Sequence, residues 1–450
     1  MVKKEEMIMK KVMILLSAVL ALVACNKETP SVQNDGTIDA SKVVFDLTIN
    51  YADDTKAVKS GWTSGDKVYL FFEGVTTGYV VTEYDGSNWT PTLQGTATLS
   101  ASSKTVTAVF LPFSTDEPTY DGWAWTFAKK TAYYMTAMDQ QYTVTTDPST
   151  DISTLKATLN MINDIEFVQI FIPDASPVAG KYKIYAAGLI PTWCASIVPG
   201  GGVTAASSTA GLPIESVIVP GEGYYFYGTV NSAITDPTFY IVEQDPTIGY
   251  AIGTRVKSIT GGKSLAPKAA VKFSTLPTLE PWVNIDGNKW ATGNVSGSVA
   301  GNGTIVAPTE YGDYYSWKRL NEQPYPNYDY ADYGSDTATD LLGSGWRMPS
   351  NTEFNLLMGT SGEKAQWIAS PAGLKVTGDN GLVVFFPAAG EQFNGKKYSV
   401  GAHGYYWSSN YYEEDHNYAY FRQIYDEGVR IHYIHSLRYS GYSVRPIKNN

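Results

Sequence analysis

Side chains suited to binding or acid–base chemistry crowd the last third of the chain. Tyr411-Tyr-Glu-Glu-Asp-His416 and Arg430-Ile-His-Tyr-Ile-His435 set aromatic rings beside carboxylates, imidazoles and a guanidinium. Tyr rings offer rigid, amphipathic area that stacks on the apolar face of a sugar, while neighbouring Asp, Glu, Asn and His fix its hydroxyls. Tyr411, Tyr412, Asp415, His416, Arg430, His432 and Tyr433 are therefore the candidate ligand contacts, with Trp407 from the preceding Tyr405-Tyr-Trp-Ser-Ser409 run. The alternative reading is a solvated loop whose aromatic edges pack locally. His432 and His435 stand three apart in a β-like run, on opposite faces, a poor pair for zinc. Asp329, Asp332 and Asp336 offer oxygen to calcium, but their spacing matches no EF-hand loop. The expectation is no cofactor, with calcium the one open alternative. Glu391, Glu413, Glu414 and Asp426 would have to face each other at a fixed separation to cleave a glycoside, and nothing in the sequence selects two of them. No phosphate-cradling loop, dinucleotide fingerprint, nucleophile elbow or His-Glu-x-x-His helix occurs, so the chain is expected not to be an enzyme.

The elements that must carry these residues are sheet-rich. The 450 residues are 43% hydrophobic, 13% aromatic and only 17% charged, which suits roughly three folded domains of about 150 residues. Between Val43 and Asn50, Phe45, Leu47 and Ile49 alternate with Asp46, Thr48 and Asn50, the period of a half-buried strand. Further β-like runs are expected at Lys67–Phe72, Gly78–Tyr84, Thr105–Phe113, Ile165–Ile172, Lys181–Ala186, Ser216–Val219, Tyr224–Val230 and Thr238–Val242, separated by Gly, Pro, Asp and Ser. Short strands at this spacing suggest β-sandwiches, and the polar stretch Thr145–Thr154 reads as the boundary between two of them. Leu276-Pro-Thr-Leu-Glu-Pro281 reads as a hinge, its two prolines limiting pairing with either neighbour. From Trp282 onwards the composition changes: this part holds 18 of the 33 Tyr and all four His. Its well-signalled helix opens on the capping box Ser350-Asn-Thr-Glu353. Strands are expected at Leu382–Pro387, Gly404–Ser408, Asn417–Ile424, Val429–Tyr433 and Tyr442–Pro446, making this unit α+β.

With 33 Lys and Arg against 44 Asp and Glu, the net charge is -11, which argues against general affinity for nucleic acid or anionic lipid. At the start, Lys3, Lys4, Lys10 and Lys11 precede the apolar run Val12–Val23, too short to span a bilayer. Its end, Leu22-Val-Ala-Cys25, resembles the lipobox of bacterial lipoproteins. That resemblance implies removal of residues 1–24, acylation of Cys25, and a polar tether over 25–41 that holds the body off outer-membrane lipid. Lipid chains anchor through about 0.8 kcal/mol per buried methylene. Cys194 is the second and last Cys, so no intramolecular disulfide remains if Cys25 is acylated, and Cys194 reads as a small buried apolar side chain.

Ser60-Gly-Trp-Thr-Ser-Gly-Asp-Lys-Val-Tyr-Leu-Phe-Phe72 resembles the segment after the first strand of fimbrillin-like proteins, the type V pilus subunits and anchors of Bacteroidales. Ala157-Thr-Leu-Asn-Met161 is similar to the opening of their second domain, and Gly262-Lys-Ser-Leu-Ala266 with Val271–Ser274 to their closing strands. The resemblance implies two transthyretin-like β-sandwich domains, 42–150 and 151–277. It also implies cutting after a basic residue, here Lys56 or Lys59, and donor-strand exchange with other pilus subunits. Arg, the more familiar residue at such cuts, is absent from this stretch.

Trp282-Val-Asn-Ile-Asp-Gly-Asn-Lys-Trp-Ala291, Tyr314-Tyr-Ser-Trp317, Gly345-Trp-Arg-Met-Pro-Ser-Asn-Thr-Glu-Phe354, Tyr405-Tyr-Trp-Ser-Ser409 and Tyr439-Ser-Gly-Tyr-Ser-Val-Arg445 resemble the major paralogous domain first described in Fibrobacter succinogenes. This implies a C-type-lectin-like fold over 282–450. Two Cys common in that family are missing, and with them the thiol chemistry of its formylglycine-generating relatives. Trp317, Trp346, Trp407 and Arg445 sit in the repeated motifs and read first as frame residues. The resulting expectation is a mainly β pilus tip adhesin of the fimbrium and outer-membrane surface. Its partners would be pilus subunits and a host or bacterial surface glycan or protein, with an uncut lipid anchor or scaffold as the alternative and a carbohydrate-active enzyme as the last.

Overall fold

The alternation at 43–50 calls for a strand with one buried face, and Val43–Tyr51 forms one, with Val43, Phe45, Leu47 and Ile49 inside. The computed structural model describes residues 37–51, 61–100, 105–111, 117–127, 134–162, 167–198, 200–323, 329, 335–359, 362–426 and 434–449. Cys25, Lys56, Lys59, Asp332, Arg430, His432 and Tyr433 lie outside the described residues, as does the expected strand Val429–Tyr433. The end of the expected tether is folded: Thr37–Asp39 pairs with Thr98–Ser100, and Ala40 is buried.

The leading strand is the edge of a seven-stranded sheet, followed in order by Ile152–Met161, Met135–Asp147, Thr105–Phe110, Lys67–Phe72, Gly78–Tyr84 and Trp89–Gly95. The long strand Met135–Asp147 turns a corner at a bulge. Its register against Thr105–Phe110 shifts between Ala137 and Gln140, and Asp139 takes a left-handed backbone at φ 49°. Past the corner it pairs with Ile152–Met161. The sheet therefore wraps over its own core, with the Phe45 ring 6.2 Å from Phe72 and Phe72 edge-on to Tyr142 at 5.6 Å. The expected boundary at Thr145–Thr154 is a correction: it is the tip of this hairpin. Asp147 accepts bonds from Ser149 N (2.8 Å) and Ser149 Oγ (2.6 Å) there, and both flanking strands belong to the first sheet. A polar Thr-Asp-Ser run marks a tight turn as readily as a linker.

The second body is a sandwich of an eight-stranded sheet and a four-stranded one. The strand Gly223–Thr229, at the centre of the larger sheet, is buried on both faces along nearly its whole length. Tyr224 and Phe226 point into a core shared with Ile170, Ile184 and Ile241, whereas Tyr225 and Tyr227 point into the core of the first body. Period two sends alternate side chains to opposite sides, so one sheet serves as a wall for both bodies. The first body adds strands to that wall: Trp125–Thr126 pairs with Ile190–Val198 at Ile197.

The expected hinge at 276–281 is also corrected. Glu280 and Thr254 exchange two backbone bonds (2.8 and 3.0 Å), and Arg255 donates to the Pro277 carbonyl at 2.6 Å while pairing with Glu243. Tyr250 stacks on Phe385 at 4.5 Å, and Tyr185, Val242 and Ala251 share a core with Val283, Trp290 and Phe386 of the C-terminal unit. Proline withholds its own donor, but its carbonyl and the neighbouring Glu280 remain free to pair. The Glu280 carboxylate also accepts from Lys448 Nζ and from Trp282 Nε1 (2.8 Å), tying the chain's tail to the joint.

Among the described residues the C-terminal unit, or head, holds five small sheets of two to four strands and two short helices. Asn351–Met358 starts on the expected capping box, Ser350 Oγ accepting from Glu353 N and Ser350 N donating to Glu353 Oε2 at 2.8 Å. The strand expected at Tyr442–Pro446 is instead a run of single bridges: Tyr442 exchanges bonds with Tyr315, and Val444 O accepts from Val295 N at 3.0 Å. The tail strand Ile447–Lys448 lies between Asn288–Ala291 and Trp346–Arg347, paired on both sides. The chain is mainly β, as expected, and among the described residues no helix is long and apolar enough to cross a membrane.

Two outcomes follow for the joint. A Cβ on Gly253 would stand 2.6 Å from Glu280 O and 2.7 Å from Leu279 Cδ1, so Gly253→Ala should lower urea-unfolding stability by about 1–3 kcal/mol; an unchanged midpoint would contradict the strapped joint. The Glu280 carboxyl is held below the ordinary glutamate value by its bonds from Lys448 and then Trp282, which outweigh burial. Its contribution is therefore complete above the unfolded value near 4.5 and is lost as pH falls through the lowered folded value. Glu280→Gln should shrink the stability difference between neutral and acidic solution.

Candidate functional site in the C-terminal head

The site rests on a frame of buried Trp and Arg. Trp407 Nε1 donates to Tyr315 O at 2.7 Å and Trp317 Nε1 to Ser408 O at 2.8 Å, a reciprocal latch between two segments some ninety residues apart. Trp407 has no exposure, and its expected role in ligand contact is corrected to that of frame. The reason is local: Tyr406, Trp407 and Ser408 are consecutive and all buried, because this part of the strand is covered on both faces. Arg445 is likewise fully buried. Its guanidinium donates to Asn294 Oδ1 (2.9 Å), Ala291 O (3.1 Å) and Phe385 O (2.7 Å), and lies over the Phe386 ring at 4.6 Å. Burial brings its pKa down to about 10, which still leaves it charged at neutral pH.

On this frame stands the hairpin His403–Tyr411 and Tyr418–Tyr425, with Ile434–Leu437 as third strand. Its turn is set by Asp415, whose carboxylate accepts from Asn417 N (2.9 Å) and whose carbonyl accepts from Tyr418 N (3.0 Å). Four expected contacts meet here: Tyr411, Tyr412, Asp415 and His416. Tyr411 is 39% exposed and edge-on to His416 at 4.8 Å. Tyr412 stacks on His435 with ring centroids 4.0 Å apart and planes 8° apart, and Tyr418 and Tyr420 meet His435 edge-on at 5.3 and 6.4 Å. Tyr412 Oη donates to Glu414, and that carboxylate pushes the phenol pKa up to about 12. The result is a ridge of aromatic faces and edges rimmed by the exposed Glu413, Glu414 and Asp415. Such a ridge can stack on a ring and accept hydrogen bonds from hydroxyls or amides.

His435, read from the sequence as a poor zinc ligand, proves to be the ring on which the ridge is stacked. The signal that would have found it is register: Tyr420 lies directly opposite His435. Glu391 sits by the opposite end of the same hairpin, near His403, and burial raises its pKa. The strand His403–Tyr411 would span roughly 25 Å, so Glu391 and Glu413 do not face one another across a single cleft. For calcium, the Asp336 carboxylate is occupied by Thr339 N (3.0 Å) and Met348 N (2.9 Å), as the cap of Thr337–Leu342. Among the described residues no three His, Cys, Asp or Glu side chains are grouped to hold a metal. Cys194 is buried, with its thiol pushed up to about 12 by that burial.

A family model described as a domain of unknown function, DUF8237, matches residues 360–447. Solved structures similar to this chain include a "putative cell adhesion protein" from Bacteroides ovatus, at 12% identity and a TM-score of 0.25, covering 54% of this chain and 98% of that one. They also include a "putative adhesin" from the same organism, at 8% identity and a TM-score of 0.24, covering 57% and 99%. A fimbrial protein from B. ovatus has 10% identity and a TM-score of 0.21, covering 90% and 99%. No curated protein matches.

The division between frame and ridge is measurable by denaturation. Trp407→Ala should cost about 3–5 kcal/mol of unfolding free energy, and Tyr411→Ala no more than about 0.5 kcal/mol. Equal losses would show that Tyr411 belongs to the core.

Proposed function

We propose that this chain is a cell-surface fimbrial subunit that sits at the end of a fibre and contacts a glycan or protein ligand through its head. The observation that carries the reading is the unequal placing of the strands Val43–Tyr51 and Ile447–Lys448. Among the described residues the strand Val43–Tyr51 pairs on one side only, and the stretch holding Lys56 and Lys59 follows it directly in sequence. Cutting after either Lys would free that strand, and a strand from another subunit would take its place beside Ile152–Met161 by β-augmentation. The tail strand Ile447–Lys448 is paired on both sides and cannot be lent to a neighbour without opening the head. A subunit that accepts a strand at 43–51 and keeps its 447–448 strand locked in the head fits the end of a polymer. Acylation at Cys25 would hold the chain at the outer membrane before the cut, and the acidic surface leaves nucleic acid out of its partners.

One observation favours a second reading, an uncut lipid-anchored scaffold: the leading strand fills its groove well, four side chains deep. Mass spectrometry of surface material separates the two. A new N-terminus at Ala57 or Ser60 is expected for the tip, while assembled fibres carrying diacylated Cys25 would identify the anchor. On glycan and surface-protein arrays, the full chain should bind and the Tyr411→Ala/Tyr412→Ala variant should show a weaker signal. Silence of the parent chain on both arrays would remove the adhesin reading.

A further inference from the structure

We infer a second binding site on the head, a cleft that takes a neutral saccharide at the end of the hairpin opposite the aromatic ridge. The cleft has a volume of about 640 Å³, within the range of roughly 300–1,000 Å³ usual for small-ligand sites. It opens between the turn joining Ala365–Ala369 to Ala372–Thr377 and the base of the hairpin. Ala369, Ala372, Gly401 and Ala402 lie along it, so its walls are low and give a flat ring room to approach. Trp367 and Tyr425, both half-buried, supply aromatic surface for the apolar face of a pyranose.

The polar side of the cleft is organised in advance. Tyr405 Oη lies 3.1 Å from His403 Nδ1, and Gln423 Nε2 reaches both Tyr405 Oη and His403 Nδ1 at 3.3 Å. The ring is further fixed by the turn before it, where His403 N donates to Ser399 O at 2.9 Å and Gly401 N to Ala388 O at 2.8 Å. His403, Gln423 and the exposed Asp426 thus offer donors and acceptors at set positions along one wall, the requirement for fixing sugar hydroxyls. No Lys or Arg lines the cleft among the described residues, which argues against phosphate, sulfate or uronate groups. His403, Gln423 and Asp426 along one wall argue against an acyl chain. The inference rests on the reading of the head as a binding module, and adds to it a site and a ligand class.

The test uses the full chain, titrated separately with cellobiose, lactose, maltose and chitobiose and with tetramethylammonium, followed by calorimetry and Trp fluorescence. At least one disaccharide should bind saturably. Its affinity should fall about tenfold or more in Trp367→Ala and in Ala402→Phe. Ala402 is exposed, so Ala402→Phe blocks the cleft without touching the core and guards against misfolding of Trp367→Ala, whose ring also packs on the head. Sugar binding that survives both cleft variants, or no sugar binding at all, overturns the cleft site. Tetramethylammonium binding in place of sugar overturns the ligand class. Sugar binding lost only in the Tyr411→Ala/Tyr412→Ala variant also overturns the cleft, yet leaves the head a binding module; silence here together with silence on the arrays removes both.

Discussion

A strand at the edge of a sheet can be removed or replaced at the cost of one ladder of backbone hydrogen bonds, whereas a strand inside a sheet breaks two and leaves both neighbours unpaired. The strands Val43–Tyr51 and Ile447–Lys448 fall on opposite sides of that constraint. The leading strand is an edge strand held by Ile152–Met161 and by the burial of Val43, Phe45, Leu47 and Ile49. The tail strand is internal, and the residues before it are pinned by Tyr315, Val295 and the three acceptors of Arg445. On the proposed reading, the direction in which subunits would be chained rests on this asymmetry.

The same rule explains why the molecule is continuous where separate modules were expected. A sheet that is apolar on both faces must be covered on both, and the strand Gly223–Thr229 is covered by the first body on one side and the second on the other. At 276–281, backbone pairing and the Glu280 bonds replace the freedom a proline-bounded linker would have. Force applied to the head is thereby passed through hydrogen-bonded strands, with no loose tether between the second body and the head.

How much of this could be read from sequence depended on exposure. Val43–Tyr51 announced itself because one face is wet, and the bounds of Lys67–Phe72 and Gly78–Tyr84 were legible to the residue. Trp89–Gly95 was not, since its Pro91 signals a break and is tolerated here near an edge. The second half of Met135–Asp147 was read as a boundary because its Thr-rich face looks like a linker, although Thr suits strands. At the site, composition located the turn at Tyr411–His416, but register alone brings His435 beneath Tyr412, and two-sided burial alone takes Trp407 out of reach. The cleft between Trp367 and Gln423 joins segments more than fifty residues apart, and no local pattern marks it.

Hydrogen exchange of the intact chain tests the central asymmetry most directly. Amides of Val43–Tyr51 should exchange through local opening, well before Trp290, Arg347 and Ile447, which should be released only with the unfolding of the head. Equal protection of the two strands, or earlier exchange at the tail, would contradict the account.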